Sequence, residues 1–309
     1  ARGTAAVGDA PAFAPLRALS FGEPRRAPDL RLARADAPAA PLTTNFNGTL
    51  AGGSAAGPST NAGTLTKTGG TGTTTIAITA NNTGTISVDS GTLSFSSTSI
   101  VTQHVGTTLT GGTWNVSNGS TLTFTTGSNI TTNQGTVMLD GAGSSFNRLT
   151  DALNNNQGSF TIKNDRDLTT AGAYTNSGTT RVEDSTTVMT IGAGGSAAYT
   201  QSGPGSFTIL AGGAMIDTSA FNLNGGTLTG TGTIDGPLNA TTANATTIAP
   251  GASPGTITVN GSTVLGGSNT LAMEIGGLAA GIDYDLLDVN GILALGGLLN
   301  LTFINSFEG

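Results

Sequence analysis

A glycine followed by threonine or serine and a third residue recurs along this chain, and each copy opens a short strand-like run. Nine evenly spread copies begin at Gly63, Gly84, Gly112, Gly135, Gly158, Gly178, Gly205, Gly226 and Gly255. Successive glycines are therefore between 20 and 29 residues apart. A repeat of this length is typical of a solenoid, in which each coil buries its apolar side by stacking on its neighbours.

Apolar and polar residues alternate within the coils, as in Thr85–Asp89, Thr121–Phe124 and Phe160–Ile162. Period-two alternation predicts strands that bury Ile, Val, Leu and Phe and expose Thr, Ser and Asp. The third residue of each copy is therefore predicted to line the interior, with Thr180 as a polar exception. The predicted interior ladder consists of Leu65, Ile86, Trp114, Val137, Phe160, Phe207, Leu228 and Ile257.

The composition excludes several classes of function. The chain has no cysteine, so disulfides, cysteine-based metal sites and cysteine nucleophiles are ruled out. Its net charge is −7 and no basic stripe exists, which argues against a nucleic-acid partner. No apolar run approaches the roughly 20 residues of a membrane helix, so no membrane span is expected. Charged residues make up only 9% of the chain, which predicts an ordered but largely uncharged surface.

Residues 1–41 differ from the rest and are predicted to form an extended arm. They contain six of the 11 prolines and carry a net charge of +2 (six basic residues against four acidic ones), whereas the remainder carries −9. Prolines oppose long helices and central strands. One interpretation is a solvated tail; the other is an arm that docks its apolar side chains on a neighbouring molecule. Those side chains are Phe13, Leu16, Leu19, Phe21, Leu30 and Leu32.

The coils are predicted to span residues 42–248, and residues 249–309 are predicted to form more apolar coils. The later segment contains Ser253–Gly261, Asp283–Gly291 and the run Leu295–Leu301. These runs resemble the late passenger segment of bacterial autotransporters and related surface adhesins, and with the glycine repeat the likeness covers residues 45–309. The resemblance implies a right-handed parallel β-helix exported from a bacterium. We therefore expect an all-β protein with this fold, about nine to eleven coils long, preceded by the irregular arm.

Carboxylates are the residues from which an enzyme of this fold would be built. A glycosidase needs two carboxyl groups about 5 to 9.5 Å apart, and the sequence offers Asp165, Asp167, Glu183 and Asp184. A solvated cluster of charges beside a loop explains these residues more simply. The lone histidine, His104, has no carboxylate near it in sequence that could orient it as a base. No catalytic residue is therefore assigned, and the carbohydrate-active enzyme is kept as the alternative.

Calcium is a second hypothesis for carboxylates. Asp283, Asp285 and Asp288 offer the hard oxygen ligands that this ion prefers. Neither an EF-hand spacing nor a glycine-rich nonapeptide repeat accompanies them, and aspartates in turns commonly accept hydrogen bonds from backbone N–H groups. We expect no cofactor, and the three aspartates remain only a candidate for a calcium ion.

Together these observations predict a non-enzymatic structural protein outside a bacterial cell, either a filament or matrix component or a surface adhesin. A solenoid exposes a strand edge at each end, and an uncovered edge is a template for pairing with another chain. We therefore expect a homo-oligomer, head-to-tail or filamentous, with the arm bridging protomers. A glycan or a ligand on a cell surface is the further partner that this class of protein implies.

Overall fold

The computed structural model describes residues 29–32, 42–44, 48–52, 59–96, 100–251 and 253–307, with side chains described from residue 59 onward. The chain divides into two compact units, residues 1–150 and 151–309. Each unit is built from short strands that pair in parallel with the strands of the next coil. The predicted all-β, parallel β-helix fold class is thereby confirmed.

Each coil of unit 1 has three strand positions, which are separated by turns. Its strands are β1 (Asp29–Leu32), β2 (Leu42–Thr44), β3 (Gly48–Gly52), β4 (Ser59–Asn61), β5 (Thr64–Lys67), β6 (Thr73–Ala77), β7 (Ala80–Asn82), β8 (Thr85–Val88), β9 (Thr92–Phe95), β10 (His104–Val105), β11 (Thr108–Leu109), β12 (Thr113–Ser117), β13 (Thr121–Phe124), β14 (Thr132–Asn133), β15 (Thr136–Asp140) and β16 (Ser145–Phe146).

The strands of unit 1 form stacked sheets. One runs β2-β5-β8-β12-β15 and a second runs β1-β3-β6-β9-β13-β16. The third position is occupied by the pair β4-β7 and by β10-β11-β14. Strands of successive coils pair in parallel, as β8 does with β12, whereas β10 and β11 form a local antiparallel hairpin within one coil.

Unit 2 follows the same plan with longer strands. They are β17 (Asn155–Asn156), β18 (Ser159–Lys163), β19 (Leu168–Thr169), β20 (Tyr174–Asn176), β21 (Thr179–Glu183), β22 (Val188–Thr190), β23 (Ala198–Gln201), β24 (Phe207–Asp217), β25 (Ala220–Leu223), β26 (Gly226–Asp235), β27 (Leu238–Ala240), β28 (Thr246–Pro250), β29 (Thr256–Val259), β30 (Thr263–Leu265), β31 (Asn269–Ile275), β32 (Leu286–Val289), β33 (Leu293–Ala294) and β34 (Leu298–Phe303), with a 3-10 turn at Ala193–Gly195.

Two long sheets of unit 2 run β18-β21-β24-β26-β28-β31-β34 and β17-β20-β23-β25-β27-β30-β33. The long strands β24 and β26 each bend from one sheet face into the next, so they also pair with β22 and β29. The strand β32 pairs with β29. The last coil of the unit therefore consists of β32, β33 and β34.

Most of the predicted interior ladder is indeed buried. Ile86, Trp114 and Val137 are fully enclosed and stand in register in unit 1. In unit 2, Phe160 and Leu228 are enclosed, and the polar rung Thr180 is buried as well. Leu65, in the first coil whose side chains are described, is half-buried. Of the remaining two members, Phe207 departs from the prediction, whereas Ile257 is buried as predicted but lies in a different column.

The predicted inward position of Phe207 is wrong, because its side chain is 41% exposed and Thr208 is buried instead. The strand registers align Thr208 with Thr180 and Leu228, and Phe207 with the outward Thr179. Ser206 therefore stands where Gly178 and Gly226 stand in the neighbouring coils. Five residues separate β23 from β24, whereas two separate the aligned strands β20 and β21. This longer turn places the sequence motif one position earlier than its place in the structural repeat.

Ile257 is buried, but it does not continue the column that contains Leu228. The coil neighbour of Leu228 is Ile248, whereas Ile257 pairs with Gly232 on the far half of β26. The ninth copy of the motif thus opens β29, a strand of a different sheet position. The strand that follows β26 in the column of Leu228 is β28, and no Gly-Thr motif opens it.

The repeated glycine is required by the close approach of successive coils. A Cβ atom on Gly84 would lie 2.1 Å from the carbonyl oxygen of Gly63, and one on Gly178 would lie 2.1 Å from that of Gly158. Neither glycine has a positive φ, so the absence of a side chain, rather than backbone freedom, is what the position needs. Gly205, which the shifted motif displaces, has open space around it.

A column of buried amide side chains precedes the glycine in many coils, and the sequence analysis missed it. Asn156 Nδ2 donates to the carbonyl of Thr179 in the next coil (2.8 Å), and Asn176 Nδ2 donates to that of Phe207 (2.8 Å). The shared signal is an asparagine two residues before the motif glycine. The members with this spacing are Asn61, Asn82, Asn133, Asn156 and Asn176.

Part of the predicted arm is a strand of the solenoid. Leu30 and Leu32 lie in β1, which pairs in parallel with β3 of the same chain. This segment therefore extends a sheet of unit 1 and is not a free arm. Phe13, Leu16, Leu19 and Phe21 lie outside the described residues.

Candidate functional site

The carboxylates proposed for an enzyme serve as caps of turns. Asp167 Oδ1 accepts the backbone N–H of Val188 (2.8 Å) in the next coil. Asp184 accepts the backbone N–H groups of Thr186 (3.0 Å) and Thr187 (3.1 Å), together with the hydroxyl groups of both threonines. Both carboxylates thus have structural partners.

These hydrogen bonds determine the acidity of Asp184. Slight desolvation raises the pKa of its carboxyl group, but the hydroxyl and N–H donors of Thr186, the hydroxyl of Thr187 and the N–H of Asn164 outweigh that effect. The pKa falls to about 2. A carboxyl group this acidic stays ionised at neutral pH and is poorly suited to act as a general acid.

Glu183 and Asp165 occupy surface positions as well. Glu183 Oε1 forms an ion pair with Nε of Arg181, and both side chains are partly exposed to solvent. Asp165 lies in a turn with a φ of +62°. Asp167 and Asp184 therefore accept hydrogen bonds from backbone groups, and Glu183 pairs with an arginine.

The three aspartates of the calcium hypothesis are not assembled around a common point. Asp285 is buried and accepts N–H groups of Gly255 (2.9 Å) and Glu274 (2.8 Å) through its two oxygens. Asp283 accepts the N–H groups of Leu278 and Ala279, and Asp288 is exposed on β32. In the described part of the chain, no group of three or more His, Cys, Asp or Glu could hold a metal ion.

The buried Asp285 side chain joins two segments of the chain through its hydrogen bonds. Burial raises the pKa of this carboxyl group, the two N–H donors oppose the rise, and the charge of Glu274 adds to it. A Cβ on Gly251 would lie 2.7 Å from Asp285 Oδ1. The turn that contains Gly251 therefore closes tightly on the carboxylate, which ties it to β31.

His104 lies beside a small pocket in unit 1. The pocket has a volume of about 210 Å³ and is lined by Phe95, Ile100, Val101, His104, Phe124, Thr125, Thr126 and Gly127. Nε2 of the imidazole is buried without a hydrogen-bond partner, and the ring packs against Phe124 at a centroid distance of 5.6 Å. The pocket is smaller than most ligand sites.

The charge state of His104 follows from this setting. Burial lowers the pKa of the imidazole, the carbonyl of Ser128 opposes the change, and the nearby Arg148 guanidinium lowers the pKa further. The ring is therefore neutral at physiological pH. No carboxylate is among the groups that perturb it, so a catalytic dyad is not formed here.

The most prominent surface feature of unit 2 is the apolar face of its last coil. Seven large apolar side chains of this coil are exposed, from 42% to 77%: Ile292, Leu293, Leu295, Leu298, Leu299, Leu301 and Phe303. Several of them continue buried columns of earlier coils. Leu299, for example, follows Ile248 and Leu271 in register. These residues are the end face of unit 2.

The end face also carries a free strand edge. The strand β34 pairs over its full length with β31, and among the described residues no strand pairs with its other side. Backbone N–H and C=O groups along such an edge are available for another strand. The combination of bare apolar rungs and an open edge is the arrangement from which β-strand addition proceeds.

The part of the sequence that contains the end face is acidic. Residues 182–309 contain nine carboxylates and no lysine, arginine or histidine. Among the described residues, no helix is long and apolar enough to cross a membrane.

Comparisons of the chain with models of protein families, with curated proteins and with solved structures find no match.

Proposed function

We propose that this chain is a non-enzymatic structural protein of a bacterial surface or extracellular matrix, and that it self-associates. The observation that carries the proposal is the end face of unit 2, where side chains that extend interior columns are open to solvent. Burial of apolar surface stabilises association at about 25 cal/mol per Å². A face of this kind favours contact with another polypeptide over contact with water.

The surroundings of the candidate catalytic residues are consistent with this role. The carboxylates from which an enzyme of this fold would be built accept hydrogen bonds from their own turns or form a surface ion pair. The lowered pKa of Asp184 and the neutral, carboxylate-free setting of His104 give neither residue the properties of an acid–base catalyst. Stability of the coils accounts for these residues.

The outer face of the coils suits an adhesive role, and one observation favours it. Thr64, Thr85, Thr113 and Thr136 stand in register on successive coils of unit 1. Parallel strands place such hydroxyl groups about 4.8 Å apart in a row. We therefore also propose that this uncharged row of hydroxyl groups binds a glycan, because the hydroxyl groups of a sugar can form hydrogen bonds with it.

Self-association is tested by sedimentation velocity over a hundredfold concentration series, together with electron microscopy of the most concentrated sample. We expect the weight-average sedimentation coefficient to rise with concentration, because association buries the end face. A coefficient that stays at the monomer value throughout, with no assemblies on the grid, would overturn the proposal.

A further inference from the structure

The outward side chain of Phe207 interrupts a row of hydroxyl groups on unit 2. The residues in register with it are Thr179 on β21 and Thr227 on β26, and the row continues through Thr247 and Thr270 on the following coils. Phe207 is 41% exposed, although strands pair with both sides of β24. The phenyl ring therefore lies in the middle of a sheet, with a threonine on each side of it.

The neighbouring residues hold the ring in its outward position. The backbone N–H of Phe207 donates to the carbonyl of Gly178 (2.8 Å), and its own carbonyl accepts Nδ2 of Asn176 (2.8 Å). The next residue, Thr208, is buried and donates its hydroxyl to Oε1 of Gln201 (2.5 Å). Because successive side chains of a strand point to opposite faces, the buried Thr208 keeps Phe207 on the outer face.

An apolar side chain and an ion pair adjoin the ring. Ile209 is half-buried two residues further along β24, on the same face, and its neighbour in the preceding coil is Arg181. Arg181 Nε forms an ion pair with Oε1 of Glu183, and both side chains are partly exposed. The guanidinium has further N–H donors on its two Nη atoms, and the carboxylate has a second acceptor oxygen. This pair therefore supplies donors and acceptors beside the ring without adding net charge.

These groups match the two kinds of surface on a sugar ring. A pyranose has a face of C–H groups and a rim of hydroxyl groups. The face of a phenyl ring carries negative partial charge, so it attracts C–H groups that stack on it. The hydroxyl groups of Thr179 and Thr227 can both donate and accept hydrogen bonds, as the rim hydroxyls of a sugar can. The arrangement therefore fits a sugar unit stacked on Phe207.

The size and the charge of this surface favour a neutral glycan over other partners. One side of a standard protein–protein interface covers about 800 Å², and a phenyl ring that is 41% exposed supplies only a small part of that area. The net charge of −7 opposes the approach of nucleic acids and of polysaccharides that carry carboxylate or sulfate groups. A neutral sugar unit meets neither obstacle.

We propose that Phe207 is the stacking platform of a binding site for a neutral polysaccharide on the outer face of unit 2. A sugar unit packs on the phenyl ring between Thr179 and Thr227, which bind its hydroxyl groups. Arg181 and Glu183 bind hydroxyl groups at the adjacent edge. The proposal rests on the glycan-binding role proposed above and adds a specific site in the second unit.

Affinity electrophoresis of the full chain in native gels tests this site. The gels contain increasing amounts of hydroxyethylcellulose, galactomannan or mixed-linkage β-glucan as neutral probes, or alginate as an anionic probe. Mobility is measured relative to a reference protein that binds no polysaccharide. We expect at least one neutral polysaccharide to retard the chain and alginate to leave its relative mobility unchanged. Retardation by alginate, or by none of the four polysaccharides, would overturn the proposal.

Variants at residue 207 separate ring stacking from apolar contact. Phe207→Leu keeps an apolar side chain but removes the ring, and we expect it to raise the Kd for the retarding polysaccharide about 10-fold. Phe207→Tyr keeps the ring and should bind within about 2-fold of the unmodified chain. The matched control is Val264→Thr, at an exposed apolar residue of β30, which should leave the Kd unchanged. An unchanged Kd in Phe207→Leu would show that the ring is not the platform.

Two further variants distinguish this site from the threonine row of unit 1. Thr85→Val and Thr113→Val each remove a hydroxyl group from that row. If they weaken binding and Phe207→Leu does not, the site at Phe207 is wrong and the glycan-binding role stands. Weaker binding by Phe207→Leu supports the site, whatever the two row variants do. If the unmodified chain binds no polysaccharide, both glycan proposals fail, and self-association is still decided by sedimentation.

Discussion

At the scale of single residues, the core of unit 2 is specified by a polar network. Tyr199 donates its hydroxyl to Thr208 Oγ1 (2.7 Å), which itself donates to Oε1 of Gln201 (2.5 Å). The Tyr174 hydroxyl lies 3.0 Å from Thr180 Oγ1. Buried tyrosines need a partner for the hydroxyl group. The two threonines therefore replace apolar rungs where the two tyrosines lie.

Removal of the Thr208 hydroxyl should be costly although valine has the same shape. A Thr208→Val substitution removes the acceptor at Thr208 for the Tyr199 hydroxyl and the donor to Gln201 Oε1, and we expect a loss of about 1–3 kcal/mol in unfolding free energy. Urea unfolding of the full chain measures it. The control is Thr227→Val, an outward residue on β26, which should change stability by less than ~0.5 kcal/mol. Equal losses would contradict the network.

The two tyrosines should also resist ionisation. Burial raises the pKa of Tyr199 to about 12, although its hydrogen bonds with Thr180, Thr208 and Asn176 oppose the rise. Burial raises the pKa of Tyr174 as well. Because the folded pKa exceeds the unfolded value, each tyrosine contributes stability that is fully present below the unfolded pKa. This contribution is lost as the pH rises through the folded pKa. An ultraviolet titration should therefore show no ionisation of these tyrosines before pH 11, and ionisation near pH 10 without unfolding would contradict their burial.

Asp184 should make stability depend on pH in acid. Its folded pKa of about 2 lies below the ordinary value of 3.8, so its contribution is fully present above pH 3.8 and is lost as pH falls through 2. In Asp184→Asn we expect a loss of roughly 1 kcal/mol at pH 6, because the group is solvent-exposed and screened. The difference from the unmodified chain should shrink towards pH 2.

A second variant isolates the cause. Thr186→Ala removes the hydroxyl donor to Asp184 Oδ1 (2.6 Å) but keeps the backbone N–H groups. It should produce a smaller loss with the same pH dependence. A loss that is independent of pH in both variants would mean that the carboxylate charge is not involved.

At the scale of the strand and turn, the motif glycine should be irreplaceable where coils touch. A Gly178→Ala substitution places a methyl group 2.1 Å from the carbonyl oxygen of Gly158, so the two coils must separate. We expect a loss of roughly 1–3 kcal/mol or more. Thermal unfolding followed by circular dichroism measures it.

Gly205 is the matched control. It belongs to the same sequence motif, yet a Cβ on it meets no atom within 4 Å and its φ is not positive. Gly205→Ala should therefore be neutral or slightly stabilising, because alanine restricts the unfolded chain. Comparable losses at both positions would show that the glycine serves turn conformation and not coil contact.

The fold could be predicted from the sequence because the coil repeat and the alternation of apolar residues act locally. The position of Phe207 could not, because the longer turn before β24 keeps the motif intact but places it one position earlier relative to the strand. Only pairing with Thr180 and Leu228 reveals the shift. The asparagine column was readable in principle, since its members keep a constant distance from the glycine.

At the scale of the whole molecule, charge should modulate association. The chain has a net charge of −7, so two copies that approach each other repel. Salt screens this repulsion over about 10 Å at 0.1 M and about 3 Å at 1 M. Apolar contact is strengthened by salts such as sulfate. We therefore expect the self-associated fraction in sedimentation to rise with ionic strength, and a fall would indicate an interface held by ion pairs.

Much less of the candidate site could be predicted than of the fold. The apolar character of residues 249–309 indicated the region of the end face, but the exposure of its side chains depends on how the coils stack. The surroundings of the carboxylates could not be predicted, because neighbours in sequence such as Glu183 and Asp184 take different partners at the end of a strand. Chemistry at such positions is decided by the turn and not by composition.

The close fit of motif glycines such as Gly178 and Gly226 against the preceding coil has a consequence for how proteins of this kind change in evolution. The longer turn before β24 leaves the contacts of both glycines in place. A residue gained within a strand would instead displace every later contact. We expect homologous chains to differ in length chiefly by the gain or loss of entire coils, so that genetic duplication sets the number of coils.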